Sequence, residues 1–203
     1  LHTAASRVGG LDLGFTPKDG GLGAVAMTEK KALDVLVLLG ADEISLARTG
    51  AFVIYIGTHG DAGAHRADVI LPGAAYTEKN GLYVNTEGRV QRANRAVFPK
   101  GEAKEDWAIL RALSEHLGAM LPYDTHDQLR TKLFADHPTF ASIDYVAAAA
   151  ADLKAITATG AVIEAPLVNA IDDFYLTNAI ARASVTMAEL SAVKSGATKM
   201  AAE

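Results

Sequence analysis

The sequence predicts an α/β fold: a parallel sheet with flanking helices and a helical C-terminal tail. Three observations carry that prediction. Residues 33–40 and 52–57 are near-continuous apolar runs of strand length, each ending at a glycine, Gly40 and Gly57. Such runs are expected of central parallel strands covered on both faces. A third, shorter run, Asp68-Val69-Ile70-Leu71, stops at Pro72, because proline cannot donate to a central ladder. Strand, helix, strand, loop, strand is the α/β pattern, and right-handed crossovers make the sheet parallel.

The elements follow in order. Residues 7–23 are rich in glycine and read as a loop. Together with Leu1 in place of a methionine, this stretch is expected of a piece cut from a longer polypeptide. Residues 42–48 suit a short crossover helix. In residues 82–97, Tyr83, Val84 and Val90 flank Thr86-Glu87-Gly88, which predicts a β-excursion or hairpin. Pro99 and Gly101 break the chain. Residues 105–117 predict a helix: acidic residues open it, Trp107, Leu110, Leu113 and Leu117 keep one face apolar, and Gly118 ends it.

After Tyr123 the character changes. Thr125 and Gln128 form a T-x-x-Q capping box ahead of Leu129 and Leu133. Residues 146–151 are alanine-rich and helix-prone, 157–160 form a break, and 169–175 read as irregular. Thr177 is placed to cap a last helix over 178–193, with Ile180, Ser184, Met187 and Leu190 on one face. Residues 195–203 are expected to fray. The chain divides into an α/β part, 1–122, and a helical tail, 123–203, too weakly apolar to fold without lying on the first part or on a neighbour. No internal repeat is present.

Bulk composition narrows the function classes. The 203 residues carry a net charge of -5, half are apolar and about a fifth (21%) are charged. That balance, with no Lys/Arg run longer than two, argues against a nucleic-acid binder. The apolar runs fall far short of the roughly 20 residues a membrane-spanning helix needs. The sequence contains no cysteine, which removes disulfides, thiolate zinc and cysteine-ligated iron–sulfur clusters from this segment.

Candidate chemistry sits in two places. The loop with Gly57, His59, Gly60, Asp61 and Gly63 follows a strand's carboxyl end, where open α/β sheets bind ligands and glycines let backbone N–H groups approach a phosphate. Its spacing is neither GxGxxG nor a P-loop, and the plainer reading is a tight surface crossover. His59, Asp61 and His65 are conceivable metal ligands, but ordinary loop residues are the better reading. Glu78, Glu87 and Arg89 form either a carboxylate pair with an orienting cation or a structural network in which Glu87 and Arg89 hold the turn. The network is preferred, with Asn85 satisfying backbone groups beside it. Ser6 has no nucleophile elbow around it. Met187 and Met200 read as packing residues, and His2, His116, His126 and His137 as surface residues.

The run Asp68-Val69-Ile70-Leu71-Pro72, Glu78, Gly81, Asn85, Glu87-Gly88-Arg89 and Gln91 resembles the molybdopterin oxidoreductase superfamily. Its pattern is a D-V-x-L-P strand end, a glutamate, then G-x-x-x-N-x-E-G-R-x-Q. Leu38-Leu39-Gly40-Ala41-Asp42-Glu43, His59-Gly60-Asp61-Ala62-Gly63-Ala64, Glu105-Asp106-Trp107 and Asp173-Phe174-Tyr175-Leu176-Thr177 narrow the likeness. They resemble the large iron–sulfur subunit family of NADH:quinone oxidoreductase, respiratory complex I, in its C-terminal part. The resemblance implies a redox-inactive scaffold that docks on other peripheral-arm subunits, with no catalytic residue, no metal and no cofactor in this segment. The 4Fe-4S and 2Fe-2S clusters of the parent would be held by cysteines elsewhere. It implies a place on the cytoplasmic side of a bacterial inner membrane, or on the matrix side in mitochondria, without membrane insertion. On this reading Glu78, Gly81, Asn85, Glu87, Gly88, Arg89 and Gln91 are a vestigial motif beside the lost pterin. Two other readings stay open: part of a catalytic molybdopterin enzyme such as a formate dehydrogenase or nitrate reductase, and a residual nucleotide or anion site at the glycine loop.

Overall fold

The structure is a computed structural model and describes residues 7–29, 31–42, 44, 50–146, 148, 152, 154, 157, 160, 164–166, 168–169 and 171–196. The crossover helix expected at 42–48, Ser6, His2 and Met200 lie wholly or largely outside these. So do most of the alanine-rich 146–151 and the end from residue 197.

Three strands make the principal sheet: β1 (Val35–Leu39), β2 (Phe52–Gly57) and β3 (Val69–Pro72), in the order β1-β2-β3 and parallel throughout. The predicted α/β class and parallel sheet match this architecture. β2 is central, and Pro72 takes the last rung of the edge strand β3, opposite Gly57. Beyond it the pairing passes to Lys104, whose N–H donates to the Pro72 carbonyl.

The sheet departs from expectation in its burial. One face of β1 and β2 carries Leu36, Leu38, Val53 and Tyr55, all buried against Met27, Leu33, Ala41, Ile44, Ala51, Ala64 and Ala67. On the opposite face Val35, Val37, Leu39 and Phe52 are 52%, 43%, 51% and 48% exposed. The near-continuous apolar pattern does belong to parallel strands. Cover on that face is partial among the described residues: Ile56 is fully buried there, while β1 alternates in burial where its sequence does not.

A second sheet is the hairpin β4 (Gly81–Val84) and β5 (Val90–Ala93), antiparallel, with Val84 opposite Val90. Its apolar side builds a separate small core: Val84, Val90 and Phe140 are buried and packed by Val8, Leu82, Leu133, Phe134 and Ile143. Part of the predicted tail therefore lies on the α/β part.

The helices are α1 (Arg7–Asp12), α2 (Ala24–Met27), α3 (Asp106–His116), α4 (His126–Asp136), α5 (Ala179–Arg182) and α6 (Val185–Lys194). α1 corrects the loop expected at 7–23. Glycine opposes helix locally, but a Cβ at Gly9 would stand 3.2 Å from Val84 Cγ2. The glycine is what lets α1 approach β4. α3 agrees with its predicted span, with Glu105 preceding it and Gly118, left-handed at φ +70, following its end. Leu117, however, is 71% exposed, and the buried residue of α3 is Ser114. Its hydroxyl donates to the Arg111 carbonyl and accepts the Leu121 N–H at 3.0 Å.

The capping box of α4 forms in both halves, Thr125 receiving the Gln128 N–H and Gln128 receiving the Thr125 N–H. The single last helix is corrected to two. Thr177 ends a 3-10 turn, Phe174–Leu176, which overlaps the end of the stretch read as irregular. Asn178 caps α5, and Ser184 caps α6 with an extended backbone at φ -87, ψ 120. Side chains that bond the backbone two or three residues on favour caps over helix interiors.

Candidate functional site

At the carboxyl ends of β1 and β2 a cleft of about 690 Å³ opens between the sheet and the α5–α6 segment. Parallel sheets present ligands at this edge. Leu39, Ile56, Gly57 and Thr58 line it from the sheet, Tyr76 and Lys79 from the segment after β3, and Ile180, Ser184 and Met187 from the tail.

The glycine loop is built around Tyr55. The Tyr55 hydroxyl donates to Asp42 Oδ2 at 2.9 Å, and the Gly63 N–H donates to Asp42 Oδ1 at 3.0 Å, so this buried carboxylate has both oxygens occupied. A Cβ at Gly57 would sit 2.2 Å from the Tyr55 hydroxyl. One at Gly63 would sit 2.8 Å from both the Tyr55 ring and the Ala41 carbonyl oxygen. These two glycines make room for an aromatic ring of the same chain. Gly60 takes the left-handed conformation, φ +62, and His59 is exposed beside Thr58, 2.7 Å from its hydroxyl. The Ala64 N–H donates to the Asp61 carbonyl, and the Asp61 side chain pairs with Arg182 of α5. That guanidinium holds the Asp61 carboxyl below its ordinary pKa. His65 is exposed, and the described residues contain no group of three His, Cys, Asp or Glu that could hold a metal ion.

The motif around β4 and β5 is a separate network. Asn85 Oδ1 accepts the N–H groups of Glu87 at 3.1 Å and Arg89 at 2.9 Å, and Asn85 Nδ2 donates to Glu87 Oε1. Arg89 Nε donates to the same Glu87 oxygen at 3.0 Å, and its Nη1 to the Asp144 carbonyl at 2.8 Å. Hydrogen bonds from Asn85 and then from Arg89 lower the Glu87 pKa. Gly88, at φ +86, supplies the left-handed residue that closes the hairpin loop. Glu78 accepts the Ala75 N–H at 3.1 Å, capping a turn of its own. Gly81 opens β4, where a Cβ would touch the Tyr83 ring at 3.3 Å. Gln91 stands opposite Tyr83 in the ladder with its side chain exposed.

The structure thus brings Gly57 into the cleft but not Asn85, Glu87 or Arg89. What the residue patterns missed are the pairs that frame it: Asp42 with Tyr55, Asp61 with Arg182, and Lys79 with Asp106 at the start of α3. The one available signal was Asp106 itself, an acid in the first helical turn.

A second cleft, about 540 Å³, lies between β4, the start of α3 and α4. Trp107 donates to Glu105 at 3.0 Å and meets the His126 ring edge-on at a centroid distance of 6.3 Å. His126 is therefore half-buried rather than on the surface, and burial, then Arg130, lowers its pKa.

Comparison with known proteins places these features. A family model described as molybdopterin oxidoreductase matches residues 1–116, more than half of the chain. A second model, for the C-terminal region of an NADH-ubiquinone oxidoreductase subunit, matches residues 138–190. The NADH-ubiquinone oxidoreductase 78 kDa subunit of Candida albicans is 45% identical over 93% of this chain and 26% of its own length. The corresponding Neurospora crassa subunit is 45% identical over 96% of this chain and 26% of its own. The 75 kDa subunit of Reclinomonas americana is 41% identical over 95% of this chain and 28% of its own. The chain spans about a quarter of the length of these relatives. It belongs to the molybdopterin oxidoreductase family and is homologous to a region of the NADH-ubiquinone oxidoreductase 75/78 kDa subunits.

Proposed function

We propose that this chain is a redox-inactive scaffold and docking unit of the large iron–sulfur subunit of NADH:quinone oxidoreductase. The observation that carries the reading is the use made of the motif. Asn85, Glu87 and Arg89 spend their polar groups on their own hairpin loop and on the Asp144 carbonyl.

The residues do not fit an anionic pterin cofactor. The glycine positions are filled by Tyr55, the Gly63 N–H is taken by Asp42, and Lys79 faces Asp106. Carboxylates of Asp42 and Asp106 line the cleft where an anion would need donors. The same facts weigh against a nucleotide or anion held by the glycine loop. No step of electron transfer is assigned to this chain, which has no cysteine to hold an iron–sulfur cluster.

In this reading the parent complex carries electrons from NADH to quinone through 4Fe-4S and 2Fe-2S clusters held elsewhere in the subunit. The α/β part, residues 1–122, is the scaffold, and the tail, 123–203, contributes docking surface toward other peripheral-arm subunits. The unit works on the cytoplasmic side of a bacterial inner membrane or on the mitochondrial matrix side. No helix among the described residues is long and apolar enough to cross a membrane.

The test is spectroscopic. Purified chain is expected to show no visible absorbance and no NADH oxidation. A flavin-like or iron–sulfur spectrum that stays with the polypeptide, or stoichiometric molybdenum and pterin, would overturn the proposal.

A further inference from the structure

The tail segment from the 3-10 turn at Phe174–Leu176 through α6 is bound mainly to itself. Asp173 accepts the Tyr175 N–H and the Ser191 hydroxyl, and Arg182 Nη1 donates to the Leu176 carbonyl at 3.1 Å. Among the described residues it is tied to the loop after β2 by the Asp61–Arg182 pair, 121 positions apart in sequence. Between it and the sheet lies the 690 Å³ cleft, with Ile56 at its floor, fully buried at 0% exposure.

We propose that this segment is a latched strap: the Asp61–Arg182 ion pair holds α5 and α6 across the carboxyl edge of the sheet, and its release opens the cleft while the sheet stays folded. Three features argue for a latch rather than a packed layer. The strap's internal bonds survive its displacement, since Asp173, Ser191, Leu176 and Arg182 move together. The strap's own large apolar side chains stay exposed in place, Phe174 and Val185 at 74%, Leu190 at 40% and Ile180 at 36%, so little of its apolar surface is re-exposed on opening. The latch is an ion pair whose side chains are each about a quarter exposed, 26% and 25%, and is open to screening by salt. Local opening of this kind draws on the least stable part of a fold.

The chain has no cysteine, so Ile56→Cys supplies a unique thiol at the cleft floor. Its labelling rate by a maleimide is measured in the full chain, beside the urea midpoint. Asp61→Asn, which leaves the strap's own bonds intact, is expected to speed labelling about two- to fivefold, the scale of a partly exposed ion pair, and Arg182→Gln, which also gives up the bond to the Leu176 carbonyl, at least as much. The urea midpoint should stay close to that of the Ile56→Cys chain. The charge swap Asp61→Arg with Arg182→Asp is expected to restore slow labelling. Unchanged labelling in both single variants would overturn the proposal, as would a rise that merely tracks global unfolding. Should Ile56→Cys not fold, Met187→Cys, which places the thiol on the strap's side of the same cleft, gives the same decision. Asp61→Asn should speed its labelling with the urea midpoint kept. Labelling unmoved by Asp61→Asn, or rising only with global unfolding, would overturn the proposal.

Discussion

At the scale of single residues, Asn85 does the most with the least. One carboxamide accepts two backbone N–H groups and donates to Glu87, which in turn receives Arg89. Alanine at 85 leaves two N–H groups of a tight loop without their acceptor. Asn85→Ala is expected to cost about 1–2 kcal/mol, read as a lower urea midpoint. Asn85→Asp keeps the acceptor oxygen but turns the donor facing Glu87 Oε1 into a second carboxylate oxygen, and should recover only part of it. A midpoint unmoved by alanine would mean that water replaces the side chain and that Gly88 alone holds the loop. The residue types were readable in the sequence, and so was a network of Asn85, Glu87 and Arg89 about the turn. The partner of Arg89 was not, because the Asp144 carbonyl lies 55 positions away.

Elements were legible where their signals are local. The hairpin, the span of α3 and the capping box of α4 each depend on chemistry close by in the chain. Thr125→Ala removes one half of that box and is expected to destabilise by about 1 kcal/mol. Because α4 carries Leu133 and Phe134 into the hairpin's core, the loss should appear in cooperative unfolding and not as fraying alone. A change confined to helix content, with the unfolding midpoint kept, would show α4 to be uncoupled from the hairpin. Two elements escaped a local reading for opposite reasons. α1 forms despite Gly9 and Gly10, because close approach to Val84 outweighs propensity. The last helix breaks at Ser184 although its apolar spacing runs on, because a cap inside the run competes with the helix.

At the scale of the whole molecule, part of one sheet face is apolar and exposed among the described residues. Val35, Val37, Leu39 and Phe52 lie side by side by the β1–β2 register, Val35 opposite Phe52. Open apolar faces beside an unpaired edge strand are sites of association. The isolated chain is expected to bind a hydrophobic dye and to self-associate, and Val37→Lys should reduce both with its far-UV circular dichroism unchanged. Dye binding that Val37→Lys leaves untouched would mean that this face is already covered in solution.

The sequence alone determined the class of the fold, the three parallel strands, the hairpin and its loop chemistry, and the family to which the chain belongs. Those rest on runs and spacings that the backbone reads within a few residues. Tertiary structure alone decided which face of the sheet is buried, why Gly57 and Gly63 must be glycine, and that Asp61 meets Arg182. Burial and pairing across the chain depend on what arrives from far along it, and neither composition nor periodicity carries that distance.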